Sequence, residues 1–438
     1  MRSSTWRSEK NKIPVKPLYE VMKAVEDPRS SRAKKHELAA VLTYLVIGYV
    51  TGHTTLRRCL RWCQRKVKYL KKNGLPLPNG IASLSTVSRL LSNIDFELFL
   101  FTFVEWVGTI VNTKGTHLAV DGKAIRAAAE KCKGKRAPMM LHVLDVATGL
   151  VVAQLPIPDK ESEITNIPKL LSYLDIQGST VTADALNTQT SVMEQIVQQG
   201  GHFVMMLKKN HPSSYDEIVH LFEKVKADVE CSKKNPLYKT QYPEILAKYD
   251  EVAFREKNRD RYEYRAYRII NDISYLSKAA NEWPFLKSIG YVEQVRILCV
   301  RDEYGNDITP SKEAFLREGS TRQPSPERGD KEKDDIQIVG IVSDQEMTAE
   351  EMGNYKRKHW AIENRLHHVL DDTFREDRSP AKKSANNLAI IRKFAFNVLK
   401  LIQLNLQTTN PISELMDLLN DDEQLLEQYV FREVKSFY

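Results

Sequence analysis

The spacing of hydrophobic and polar positions changes several times along the chain, and the changes divide it. Leu38–Val50 is an unbroken mostly apolar run containing Tyr44 and Gly48. It is shorter than the roughly 20 apolar residues a bilayer span needs, so it predicts a buried core helix. Leu56, Leu60, Cys63, Val67 and Leu70 then recur at alternating steps of four and three, which is one stripe of a single helix. Gly74-Leu75-Pro76-Leu77-Pro78-Asn79-Gly80 breaks that helix. Ser83 or Ser85 is placed to cap the next one, through Thr86–Leu91. Near residue 116 the period shortens. Leu118–Val120, Met140–Val146 and Leu150–Ile157 read as strands, the last two joined by a hairpin connection at Asp145–Gly149. A helix around Ile164–Leu174, a strand ending at Asp184, a helix around Ser191–Gln199 and a strand at His202–Leu207 follow. Hairpin strands followed by alternating strands and helices predict an α/β fold, a mixed sheet with helices on its faces.

Residues 213–335 interrupt this alternation. They contain strand-like stretches at Tyr262–Ile270 and Ile289–Arg301 and close on the charged, proline-containing segment Arg317–Asp335, whose composition predicts mobility. Ile336–Val342 reads as a strand again, Glu350–Leu370 and Asn386–Leu404 as helices, and residues 406–438 as an acidic, partly helical tail.

Charge sharpens the division. Residues 1–110 carry 19 Lys and Arg against 8 Asp and Glu, a balance of +11, whereas the whole chain of 438 residues is +8. The basic excess therefore belongs to the N-terminal quarter, as expected of a nucleic-acid-binding module joined to a more neutral body. Its densest part holds Arg57, Arg58, Arg61, Arg65, Lys66, Lys68, Lys71 and Lys72 with no acid between them. Such a surface suits phosphate contacts, and Arg89 lies on the short helix that could enter a major groove. The five cysteines, Cys59, Cys63, Cys132, Cys231 and Cys299, lack the pairing of a zinc site and fit reduced thiols. Met1–Arg7 leads into charged sequence rather than a secretory core, so a cytoplasmic protein with no membrane partner is expected.

Three carboxylates carry the chemistry. Asp121 ends the apolar run Leu118-Ala119-Val120, Asp184 ends Thr180-Val181-Thr182-Ala183, and Glu363 lies on the helical stretch His359–His367. Two strand-end aspartates and a late helical glutamate are the hard oxygen donors that Mg²⁺ or Mn²⁺ prefers. A pair of such ions serves in-line displacement at phosphorus, so a nucleic-acid phosphoryl-transfer enzyme is predicted.

Asp121-Gly122-Lys123, Asp184-Ala185 and His359-Trp360-Ala361-Ile362-Glu363-Asn364 together resemble the DDE insertion-sequence transposases of the H-repeat-associated branch. Asp27-Pro28-Arg29, Pro78–Leu91, Lys160-Glu161-Ser162-Glu163-Ile164, Lys208-Lys209-Asn210-His211 and Leu370–Asp377 extend the resemblance, in order, over about residues 20 to 400. It implies an RNase H-like core in two parts (113–212 and 336–405), a β-rich insertion (213–335), a helical N-terminal DNA-binding domain (1–112) and a tail (406–438). It also implies cleavage of double-stranded DNA at element ends and transfer of the 3′-OH to target DNA. Asp121, Asp184 and Glu363 would be the catalytic metal ligands, Mg²⁺ the cofactor with Mn²⁺ able to replace it, a dimer the form paired on DNA, and the bacterial nucleoid the place. The signature Tyr-x₂-Arg-x₃-Glu-x₆-Lys of related transposases is altered here. Tyr355 is one residue out of register, His359 replaces the Arg and Leu370 the Lys, which leaves Arg357, Lys358 and Arg365 as the nearby cations for DNA. Asp371 is a reserve carboxylate. Trp283, in the insertion, offers its ring either to a flipped base or to a core. A second reading is a decayed or domesticated transposase that binds DNA without cutting it, and a third is a nuclease without strand transfer.

Overall fold

The computed structural model describes residues 14–30, 34–125, 139–158, 162–258, 261–277, 283, 285–298, 304, 337–379, 383–432 and 434–435. In chain order come helices α1 (Leu38–Val50), α2 (Leu56–Arg65), α3 (Val67–Lys72), α4 (Leu84–Asn93) and α5 (Phe96–Gly108). Strands β1 (His117–Ala124), β2 (Met139–Asp145) and β3 (Val151–Ile157) follow, then helix α6 (Glu163–Leu171), strand β4 (Thr180–Ala183), helix α7 (Thr190–Gln198) and strand β5 (His202–Leu207). Helix α8 (Pro212–Lys234) leads to β6 (Tyr249–Asn258), β7 (Arg261–Ile270), β8 (Ser288–Leu298) and β9 (Gln337–Ser343). Helix α9 (Ala349–His359), a π-helical turn at Glu363–His367, α10 (His368–Asp372) and α11 (Ala385–Asn405) come next, with α12 (Ile412–Asp421) and α13 (Glu423–Val430) after them.

The chain divides into two compact units. The first takes residues up to 181, 198–201 and from 359 onward. Helix α1 is buried along its whole length and packs between α2 and α11, which is why its sequence is apolar on every side. Phe99, Phe103 and Trp106 of α5 close around Phe394 of α11, with ring centroids 6.0, 5.0 and 4.8 Å from it. Strands β1, β2 and β3 form successive antiparallel pairs. The Asn397 side chain of α11 accepts from the Val151 N–H at 3.0 Å and donates to the Val151 carbonyl at 2.8 Å, so a helix amide completes backbone pairing at the start of β3.

The second unit takes residues 182–197 and 202–358. Its strands run antiparallel in the order β5-β9-β8-β7-β6. One face is an apolar core of Val204, Tyr267, Ile269, Val292 and Ile341 covered by Met347, Ala349 and Met352. A Cβ at Gly353 would stand 2.9 Å from the Tyr267 ring, so glycine there lets α9 lie directly on β7. Helix α8 packs on β8 and β9, with Phe222 against Tyr291, centroids 5.5 Å apart.

Four expectations need correction. The basic stretch is two helices: Lys66 leaves helical geometry between α2 and α3, and its ammonium is drawn 2.7 Å from Glu423, while Tyr69 donates to the Glu423 carbonyl at 2.9 Å. Asp121 does not end its strand, because pairing of β1 with β2 continues through Ala124 while Lys123 finds buried carboxylate partners. Residues 213–335 open with the 23-residue helix α8, whose Ile218, Phe222 and Val225 form a buried stripe, before the strands begin. The stretch Glu350–Leu370 is interrupted: α9 ends at His359, and the π turn starts at Glu363. The segment Arg317–Asp335, Lys160, Glu161, Arg301, Cys132 and Cys299 lie outside the described residues. Cys59 and Cys63 are buried free thiols and Cys231 an exposed one.

Candidate active site

In the first unit the site is built on β1. Alternation along a strand puts Asp121 and Lys123 on one face and Gly122 on the other. Directly across the ladder from Asp121 stands His142 of β2, on Asp121's face. The Asp121 carboxylate accepts from the Gly122 N–H at 2.9 Å through Oδ1, and its Oδ2 lies 3.5 Å from Nδ1 of His367. Nε2 of His367 in turn lies 3.2 Å from Nδ1 of His142. Burial pushes the His367 imidazole down to about 3, and Lys123 and Lys393 push the same way. Burial, then Lys393, His367 and Lys123, hold His142 well below the ordinary range as well. Both rings are therefore neutral: His142 Nδ1–H donates to Nε2 of His367, which leaves the single N–H of His367, on Nδ1, facing Asp121 Oδ2. A neutral imidazole beside a carboxylate restricts the carboxylate's rotation without bringing a charge to it.

Behind the strand, the Glu163 carboxyl of α6 is buried against Gly122. A Cβ at Gly122 would collide with it. Gly122→Ala is expected to cost about 1–3 kcal/mol from overpacking, measured as a lowered urea midpoint with an unchanged slope. An unaltered midpoint would show that the carboxyl moves aside freely.

Lys123 links β1 to the segment that follows Glu363. Its ammonium lies 2.5 Å from Asp371, 3.2 Å from Asp377 and 3.9 Å from Glu376. Burial opposes its charge, but Glu376, Asp371 and Asp377 more than offset that and raise its pKa. Glu376 is itself fully buried and bridges to Lys393 of α11 at 3.0 Å and Arg392 at 3.7 Å. Asp371, the reserve carboxylate, pairs with Lys123 in the structure.

Glu363 is exposed and opens the π turn that also carries His367. A π turn inside an α-helix widens the backbone locally and is common at functional sites. Asp184 belongs to the second unit. It is half-buried, follows β4 in extended geometry, and caps a 3₁₀ turn at Ala185–Asn187, where Asn187 donates to Oδ1 at 2.9 Å. Asn210 donates to the Ala185 carbonyl at 2.8 Å and so ties that turn to the end of β5. The three residues supply only carboxylate oxygens, the donor set a hard divalent ion takes. Among the described residues no three His, Cys, Asp or Glu side chains are gathered closely enough to hold an ion.

The DNA-facing candidates are placed as follows. Arg57, Arg58, Arg61 and Arg65 are exposed on α2, and Lys68, Lys71 and Lys72 on α3. Arg89 is exposed on α4, whose Ser83 cap accepts from the Thr86 N–H at 3.2 Å. Arg357 and Lys358 are exposed on α9, with Arg357 3.9 Å from Glu256, and Arg365 is exposed on the π turn. Trp283 is half-buried, its ring edge-on to His211 at 5.5 Å. His142, His367, Lys123 and Glu376 were not singled out from the sequence. Lys123, His367 and Glu376 lie inside the quoted motifs with no role assigned to them, and His142 lies in a strand-like run.

Residues 112–397 match the family described as "Transposase DDE domain", and residues 19–107 match "DDE_Tnp_1-associated". The chain is 27% identical over 390 residues to "Putative transposase YncI" of Escherichia coli O157:H7, covering 88% of each chain. It is 26% identical over 388 residues to "H repeat-associated putative transposase YhhI" of Escherichia coli K12, covering 88% of this chain and 90% of that one. The piggyBac transposase synaptic complex with hairpin DNA overlaps 94% of this chain and 76% of that one, at 10% identity and a TM-score of 0.39, too slight a likeness to build on.

Proposed function

The chain belongs to the transposase DDE domain family, and from that premise we propose that it cleaves DNA at the ends of an insertion element and joins the 3′-OH so formed to target DNA. The observation that carries this reading is Asp121 set in β1 with its carboxylate oriented by the neutral His367–His142 pair. Asp121, Asp184 and Glu363 would hold Mg²⁺, or Mn²⁺ in its place, in an RNase H-like core. When bound, such ions lower the pKa of an attacking water or hydroxyl and stabilise the departing 3′-oxygen. This chain's own residues do the rest. His367 fixes the Asp121 carboxylate, Lys123 and Glu376 hold the strand to the segment after Glu363, and exposed cations on α2, α3 and α4 bind DNA phosphates. The element's ends are expected to be paired by two copies of the chain. Among the described residues no helix is long and apolar enough to cross a membrane.

The reaction is tested by incubating the protein and Mg²⁺ with a plasmid carrying this gene and its flanking DNA, then mapping new 3′ ends and joints. Ends at the flanks covalently joined to new sites support strand transfer; ends that are never joined would reduce the reading to a nuclease.

Two further outcomes are expected. His367→Ala should lower the cleavage rate about 10–100-fold, as loss of an outer hydrogen-bond partner does at metal sites, while DNA affinity stays unchanged. Parallel losses in rate and affinity would make His367 a folding residue instead. Changing Arg57, Arg58, Arg61 and Arg65 together to Gln should lower the slope of log K against log salt by about 0.9 for every phosphate that α2 no longer neutralises. A slope equal to that of the wild type would remove α2 from the DNA interface.

A further inference from the structure

The second unit contains a lysine whose surroundings do not explain its charge. Lys356 lies on α9 one turn beyond Met352, so both point to the sheet. It is 8% exposed, and among the described residues no carboxylate lies within ion-pair distance of it. The sheet face that α9 covers adds further cations. Arg265 lies two residues before Tyr267 on the same face of β7, and Gln294 stands across from it on β8, beside Arg296. The acid available there is Glu263, and three arginines already share it: Arg261 lies 2.6 Å from it, Arg296 3.5 Å, and Arg265 is paired with it as well. Glu256, the other nearby acid, is taken by Arg265 at 3.0 Å. Lys208, immediately after β5, is a further exposed cation. Burial pushes the Lys356 ammonium down to about 8, and Arg265, Lys208 and Arg296 push the same way.

A buried ammonium costs free energy unless it is paired. Here the fold spends its carboxylates on the arginines and leaves the lysine among like charges. We propose that Lys356, with Lys208, Arg265 and Arg296, forms a phosphate-binding site on the α9 face of the second unit's sheet. The occupant is a tetrahedral oxyanion carrying at least one negative charge, which replaces the missing carboxylate. The arginines are held as a preformed fork by Glu263, and the lysine adds a point charge from above. Its assignment to a DNA backbone phosphate rests on the transposase reading. The anion site does not, because it stands on side chains of the second unit alone.

Lys356→Met, Lys356→Arg and Lys208→Gln are compared with the wild type. One measurement is thermal stability against inorganic phosphate at constant ionic strength; the other is the salt dependence of affinity for duplex DNA. In the wild type, phosphate should raise the unfolding temperature. Lys356→Met should be at least as stable without phosphate, since it removes an unpaired buried charge. It should lose the phosphate-dependent rise, and its salt slope on DNA should fall by about 0.9, the share of one neutralised phosphate. Lys356→Arg should restore both, and Lys208→Gln should weaken both without altering basal stability. Phosphate stabilisation undiminished in Lys356→Met, or basal destabilisation that Arg does not rescue, overturns the site. Loss of the phosphate response with an unchanged DNA slope keeps the site but assigns it a free phosphate. A wild type that responds to phosphate but binds no DNA defeats the transposase reading and leaves the anion site standing.

Discussion

Asp121→Ala is expected to lower DNA cleavage by at least about a thousandfold, the rate equivalent of some 4 kcal/mol of transition-state stabilisation. DNA affinity and the unfolding midpoint should remain near wild type. The size of the effect follows from where Asp121 sits. Its backbone is committed to the β1–β2 ladder, so the side chain has little freedom, and His367 at 3.5 Å removes much of what is left. Alanine deletes both oxygens while the ladder and the buried Lys123 pairs persist. Rates of cleavage and equilibrium DNA binding, measured on the same preparation, separate the possibilities. A tenfold or smaller loss would mean that Asp121 is peripheral to the chemistry.

Glu376→Ala should produce the largest loss of stability among single substitutions in the first unit. The side chain is fully buried and faces three cations, Lys393 at 3.0 Å, Arg392 at 3.7 Å and Lys123 at 3.9 Å. Removing the one anion they share leaves uncompensated buried charge, a loss of about 3–5 kcal/mol in comparable cases. The effect should appear as a lower urea midpoint. Burial pushes the Glu376 carboxyl up, but Lys393, Arg392 and Lys123 more than offset that and hold it below its ordinary value of 4.5. Its contribution is therefore fully present above that value and is lost as the pH falls through the lower folded value. Wild-type stability should decline over that acidic window, and the gap to Glu376→Gln should narrow with it. A gap that is constant with pH would contradict the charged assignment.

The strands that carry Asp121 and lead to Asp184 were legible because their signals are local. Leu118–Val120 and Met140–Val146 announce β1 and β2 by apolar pattern, and the small residues around Asp184 announce a strand end. Glu363 was legible as helical, but the π turn was not, since its sequence satisfies an ordinary helix equally well. The ion network around Glu376 was hidden for a different reason. Lys123 meets Asp377 across 254 residues of chain, and no periodicity links such positions. Lys356 was hidden by its type: a lysine in the polar run Tyr355–His359 reads as solvent-facing, although its spacing from Met352 marks the buried stripe. Helix α8 carried a readable stripe at Ile218, Phe222 and Val225, but its charged residues and the strand-like stretches after it masked that signal.

The most direct test of the account compares the wild type with Asp184→Ala on a plasmid bearing the gene's flanking DNA, each with Mg²⁺ and with EDTA. Cuts at the flanks are expected for the wild type in Mg²⁺ alone, none for the variant, and equal DNA binding by both. Tight binding without cuts by either protein would contradict it, and would leave a DNA-binding protein built on a transposase fold.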